Sequence, residues 1–125
     1  MSGFFPHLFA GFVSSVIGLY YFKNYFYGRK KNKEKILLVI ICLFFSIIPD
    51  IFLIIYYLTN IYPKDFFFPF HNIVHFIIGP AAIISLLVLK YKTNVKRRPI
   101  WIMGFWSLLL HLSLDIFITE YSLWF

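Results

Sequence analysis

The chain has 125 residues, of which 61% are hydrophobic and 23% aromatic, and it carries a formal net charge of +7 from 12 Lys and Arg against 5 Asp and Glu. A water-soluble domain of this length could not bury so much apolar surface, and a basic excess on so apolar a background points to anionic lipid headgroups rather than nucleic acid. Cys42 is alone, which excludes an internal disulfide framework; in its apolar run it reads as a small core residue.

Four apolar stretches stand out, near 4–22, 36–58, 70–89 and 100–119. Each is long enough as a helix to cross about 30 Å of hydrocarbon at a rise of 1.5 Å per residue. The expected fold is therefore all-α: an integral membrane four-helix bundle, with 1–125 as a single membrane domain. The first stretch holds His7 and has no basic residue before it, so it reads as a retained helix rather than a cleaved signal. Tyr20, Tyr21, Tyr25 and Tyr27 close it like an interfacial belt, and Lys23, Arg29, Lys30, Lys31, Lys33 and Lys35 follow. The second stretch contains Pro49 directly before Asp50; the proline removes a backbone donor and frees a carbonyl about one turn earlier. The connection after it has one basic residue, Lys64, among Tyr56, Tyr57, Tyr62 and Phe66 to Phe68, a second belt. The third stretch brings His71 and His75, then Gly79-Pro80, a natural bend. Lys90, Lys92, Lys96, Arg97 and Arg98 separate it from the fourth, which holds His111 and Asp115 and leads to Glu120. Trp101 and Trp124 fit the two interfaces. The charge bias of the connections places the first and third inside the cell and both termini outside, as a multi-pass protein of the cell membrane.

The four histidines of the chain then share a layer with Asp50 and Asp115. Counted from the cytoplasmic helix ends, all six fall roughly 17–27 Å above the inner boundary, in the outer half of the bilayer. His71 and His75 are spaced i, i+4 and so share a helix face, with Cβ atoms about 6 Å apart; His111 and Asp115 repeat the spacing. Two such pairs on facing helices can converge on one or two metal ions, as helix bundles do with inward side chains. An Asp at the centre of a membrane helix costs about 2.5–3.5 kcal/mol, and no Lys or Arg lies inside any of the four stretches to offset it. Histidine, water or a cation must do so. Neutral imidazole and carboxylate suit zinc, and also manganese or iron. Ser46, Asn72, Ser113 and Glu120 are lesser candidates at the margin of this layer; Glu120 reads rather as a solvated residue near the outer surface, and Ser113 as a packing residue.

These residues resemble a known family. Pro6-His7-Leu8-Phe9-Ala10-Gly11 looks like its opening His and Gly, Ile47-Ile48-Pro49-Asp50 its Pro-Asp signature, His71-Asn72-Ile73-Val74-His75 its His-x-x-x-His element, and His111-Leu112-Ser113-Leu114-Asp115 its closing His-x-x-x-Asp. The family is the YdjM-like group of small integral-membrane proteins regarded as metal-dependent hydrolases. Two positions depart from it. Asp50 is followed by Ile51-Phe52-Leu53 where the family often continues with a second Asp and a His, and Asn72 stands where it often has Arg.

The functional expectation is a membrane metalloprotein whose His71, His75, His111 and Asp115 ligate a divalent ion, with zinc first in line. His7 and Asp50 either complete a second metal site or orient a ligand and act as general base. As an enzyme it would carry out metal-assisted hydrolysis of a lipid-linked ester or phosphoester. The alternative is a non-enzymatic subunit of a homo-oligomer or larger membrane complex, or an ion- or proton-binding transport component built on the same layer. The inner halves of the four stretches are almost wholly apolar, which counts against a transport route. A third reading keeps the fold and supposes a site decayed after Asp50.

Overall fold

The computed structural model describes residues 4–28, 31–59, 64–92 and 97–117; a few side chains within its helices, His71 among them, lie outside that description. The elements are α1 (Phe4–Tyr21), α2 (Lys23–Phe26), α3 (Asn32–Ile47), a 3₁₀ turn (Ile48–Asp50), α4 (Ile51–Thr59), α5 (Lys64–Tyr91) and α6 (Arg98–Phe117). The described chain is all-helical. Helices α1, α3 and α6 pack against one another as a trio, α5 lies along α6, and α4 leans on α5.

The expectation of an integral membrane four-helix bundle with both termini outside is corrected: among the described residues, no helix is long and apolar enough to cross a membrane. The clearest cause is the second apolar stretch. It is not one helix over 36–58 but α3, a 3₁₀ turn and α4, because Pro49 has no N–H to continue the i→i−4 ladder. Sixteen and nine residues reach only about 24 and 14 Å as helices. Elsewhere polar residues are set into the apolar runs: His7, Ser14 and Ser15 in α1, and Ser107, His111, Ser113 and Asp115 in α6. The other bounds shift less, although α5 begins well before residue 70 and runs through both Pro69 and Pro80. The terminal residues 1–3 and 118–125, with Glu120 and Trp124, lie outside the described residues, as do Tyr62, Arg29, Lys30 and Lys96.

Polarity is inverted relative to an ordinary core. His7, Ser14, Ser15, Ser46, Asp50, Ser107 and His111 are buried, while Phe5, Phe9, Phe12 and Val16 of α1, Ile36, Ile40 and Phe44 of α3, and Ile73, Phe76, Ile77 and Ile84 of α5 face outward. An apolar cluster remains at the far end of the trio, where Phe26, Leu38, Cys42, Ile100 and Met103 pack together. Cys42 belongs to it, and burial pushes its thiol up to about 12, which keeps it protonated and unreactive.

Small residues let the trio approach closely. A Cβ on Gly11 would collide with Ser46 Oγ and stand 3.1 Å from the Cys42 carbonyl, and one on Gly104 would stand 2.6 Å from Ile41 Cγ2. Ser107 uses the same proximity to donate its hydroxyl to the Cys42 carbonyl at 2.8 Å. Each helix of the trio therefore carries a row at i, i+4 spacing that ends in a charged or imidazole side chain: Gly11 leads to His7, Cys42 and Ser46 lead to Asp50, and Ser107 leads to His111 and Asp115. Enlarging one such position should separate two backbones. Gly11→Val should lower stability by about 1–3 kcal/mol, the usual cost of overpacking, read from thermal unfolding followed by circular dichroism; unchanged unfolding would contradict the close contact of α1 with α3.

Candidate metal centre

The rows converge at one end of the trio. His7 comes from the first turns of α1, Asp50 from the 3₁₀ turn, His111 and Asp115 from α6, and His75 from α5. His7, Asp50 and His111 are 1%, 3% and 0% exposed. The side chains of His75 and Asp115, at the seam between α5 and α6, keep 17% and 12% exposure and are the more accessible members. Gly79, one turn beyond His75 on the same face, holds that seam close: its Cβ position is 3.2 Å from Leu112 Cδ1.

One contact sets the chemistry of the rest. His111 Nδ1 lies 2.6 Å from the Ser46 carbonyl. A carbonyl oxygen only accepts, so Nδ1 carries a proton and donates it; Nε2 is then a lone pair when the ring is neutral, and a second donor, toward Asp115, when both nitrogens are protonated. Ser46 is in the last turn of α3, where the break at Pro49 interrupts the donors that would follow. Facing His111 Nε2 are His75 Nε2 at 3.2 Å, Asp115 Oδ2 at 3.1 Å and Asp50 Oδ1 at 3.8 Å. His75 Nε2 also approaches Asp115 Oδ2 to 2.8 Å and Asp50 Oδ1 to 3.9 Å.

Asp50, His75, His111 and Asp115 each offer one donor atom, and these four atoms all lie within 4.8 Å of one another. The five separations given above, 2.8 to 3.9 Å, bracket the ~3.3 Å edge of a tetrahedron whose metal bonds are ~2.0–2.1 Å. Two imidazoles and two carboxylates are also a donor set that divalent transition ions accept. These residues can hold a metal ion. The alternative occupant of so much negative potential is protons alone, and the two carboxyls differ in how they take them. Burial raises the Asp50 carboxyl above the ordinary carboxylate range, with His111 and then His7 opposing. Burial raises Asp115 too, but hydrogen bonds from His111, His7 and His75 outweigh it and hold that carboxyl well below the ordinary range.

His7 stands on the other side of both carboxylates. Its Nε2 is 3.4 Å from Asp50 Oδ2 and 3.2 Å from Asp115 Oδ1, and its ring stacks on that of His111 at 3.8 Å between centroids. Five of the six residues singled out in the sequence are thus brought together. The sixth, His71, sits on α5 one turn before His75, with its side chain outside the description. The quartet includes Asp50 where the sequence pattern pairs His71 with His75. Of the marginal candidates, Ser46 enters through its carbonyl while its hydroxyl turns back to Leu43; Asn72 is exposed; and Ser113 donates to the Leu109 carbonyl within its own helix. The Ser46 carbonyl is the part that side-chain motifs could not reveal. Its one signal was Pro49, which marks where a helix end must leave acceptors.

Two outcomes follow. In the metal-free protein, long-range ¹H–¹⁵N spectra should show His111 protonated at Nδ1; a neutral ring protonated at Nε2 would contradict the Ser46 contact. Asp50→Asn should raise the melting temperature of the metal-free protein at pH 7, by roughly 2–8 °C if the relief is about 1 kcal/mol. The sign follows from the raised carboxyl: its contribution is most favourable below the ordinary carboxylate range and is lost as pH rises through that range to the folded value. The same variant should lose the melting increase that metal gives the wild type, about 2.7 kcal/mol at a hundredfold excess over Kd.

No family model, no curated protein and no solved structure matches this chain.

Proposed function

We propose that this chain is a metal-dependent hydrolase, with zinc as the first candidate ion and manganese or iron as the others, acting on a lipid-linked ester or phosphoester. The observation that carries the reading is the convergence of Asp50, His75, His111 and Asp115 around one point, with the His111 tautomer fixed by Ser46. A divalent ion bound there would lower the pKa of a water and polarise the scissile carbonyl or phosphoryl group. Water's oxygen then bonds to the acyl carbon or phosphorus, the ester bond to the leaving oxygen breaks, and a proton passes to that oxygen. The chain's own contributions are to fix the Nδ1 proton of His111, to present two carboxylates with opposed protonation tendencies, and to leave His75 and Asp115 the more accessible of the ligands.

The lipid part of the proposal rests on the surface around the site. A groove of about 470 Å³ runs between α1 and α3, lined by Phe5, Leu8, Phe9, Phe12 and Leu43. It flanks the segment of α1 that carries His7 and suits an acyl chain. At the other end of the trio, Lys23 and Lys31 carry charge suited to anionic headgroups, with Lys31 over the Tyr25 ring and Arg97 paired with Glu34. The resemblance to the YdjM-like group supports the same chemistry through the order of its four motifs.

One observation favours a second reading. Four protein donors already complete a tetrahedral set, as in structural zinc sites, which would make the ion a staple in a non-enzymatic subunit. Turnover separates the two. Purified protein should hydrolyse nitrophenyl esters or phosphodiesters, better with a long acyl chain than a short one. Chelation should abolish the activity and metal should restore it, and His75→Ala and His111→Ala should each lower kcat/KM about a hundredfold or more. Metal that binds and stabilises without turnover would establish the structural role; activity indifferent to chelation would overturn the metal mechanism.

A further inference from the structure

The two carboxylates divide their oxygens. Asp50 Oδ1 and Asp115 Oδ2 face His75 and His111. Asp50 Oδ2 and Asp115 Oδ1 face His7. Neither carboxylate turns both oxygens to one side. From this division we infer a second metal site, made of His7 Nε2, Asp50 Oδ2 and Asp115 Oδ1, that shares both aspartates with the first as bridging ligands. The inference rests on the proposed metal reading of the quartet and adds a second ion to it.

Three observations carry the second site. The first is distance. His7 Nε2 lies 3.4 and 3.2 Å from the two oxygens, and without a metal the shorter contact serves as a hydrogen bond to Asp115. The nitrogen stands where a ligand of a common ion would stand, at the ~3.3 Å edge set by bonds of ~2.0–2.1 Å. The second is direction. His7 aims one ring nitrogen at two carboxylate oxygens, so that nitrogen is not free to act on a substrate as a general base. The third is alignment. The His7 and His111 rings stack at 29° between planes, so two imidazoles lie side by side while their Nε2 atoms serve opposite faces of the same carboxylate pair.

The two sites differ in completeness. Among the described residues, the first has four protein donors and the second three. Three donors and an open position are the pattern of catalytic metal sites, while four are the pattern of structural ones. The site at His7 therefore leaves one coordination position for water; with His7 and Asp50 1% and 3% exposed, that water would have to enter past the more exposed His75 and Asp115. Paired ions about 3.5–4 Å apart are a recurring device for displacement at phosphorus and for amide hydrolysis, clamping the attacking and leaving oxygens. The substrate class that such a pair serves best is the phosphoester. This also answers the coordination count that favours a purely structural ion, since the quartet no longer has to supply the open position.

Manganese is the probe, because two Mn²⁺ ions bridged by carboxylates couple magnetically and a lone one does not. The intact protein should take up two equivalents by equilibrium dialysis and elemental analysis. Its electron paramagnetic resonance should show a coupled pair at two equivalents and an uncoupled ion at one. His7→Ala should retain one equivalent and lose the coupling; His7→Gln, closer in volume, serves if the alanine variant does not fold. Saturation of the wild type at one equivalent, two uncoupled ions, or two coupled ions in a folded His7 variant would each overturn the second site while leaving the quartet intact. No uptake at all, by a protein shown to be folded, would overturn both this inference and the metal reading beneath it.

Discussion

The hydrogen bond from His111 Nδ1 to the Ser46 carbonyl is the contact on which the centre depends. It joins α6 to the broken end of α3, and it decides which nitrogen of the neutral ring is a lone pair. Without it His111 could turn its proton toward Asp115 and the cluster would be an ordinary hydrogen-bonded network. With it, Nε2 is turned toward another imidazole and two carboxylates, an arrangement that a proton or a metal ion can occupy. The break at Pro49 serves this arrangement twice. It releases acceptors at the end of α3, and it turns Asp50 into the space that the other ligands surround.

Close backbone approach makes such an arrangement affordable in a chain of this composition. Gly11, Gly104, Cys42, Ser46 and Ser107 fill the interface of the trio with small side chains, so polar groups near the helix ends meet without spacers. Bulk is sent outward instead. The aromatic and branched residues that would fill an ordinary interior lie on the outside of α1, α3 and α5. Inside, Ser107, His111, Asp50 and Asp115 meet polar partners across short distances; outside, large apolar side chains are exposed.

Much of the centre was legible in the residues themselves. Helical spacing and the scarcity of ionisable groups in apolar runs singled out His7, Asp50, His75, His111 and Asp115 before any coordinate. The i, i+4 pairs His71/His75 and His111/Asp115 were visible too, whereas the rows of small residues through Gly11, Ser46 and Ser107 emerged only from the packing of the trio. Hydropathy misled where it was averaged over a whole stretch. Residues 36–58 read as one long apolar helix because Ile, Leu and Phe outweigh a single proline in such a sum, yet that proline divides the stretch. The division of carboxylate oxygens between two faces was not legible at all. It depends on side-chain rotation about the last torsion of each aspartate, and spacing along a helix does not encode that angle.

The position of His75 has a consequence for assembly. His7, Asp50, His111 and Asp115 belong to the trio and its 3₁₀ turn, and they are brought together by contacts among α1, α3 and α6. His75 alone arrives on α5, a helix that touches the trio chiefly along α6. Under the proposed metal reading, an ion held by His75 together with the others would tie α5 to the trio. Loading and release of metal would then follow the motion of that one helix, and the ion's residence time would measure how firmly α5 is held.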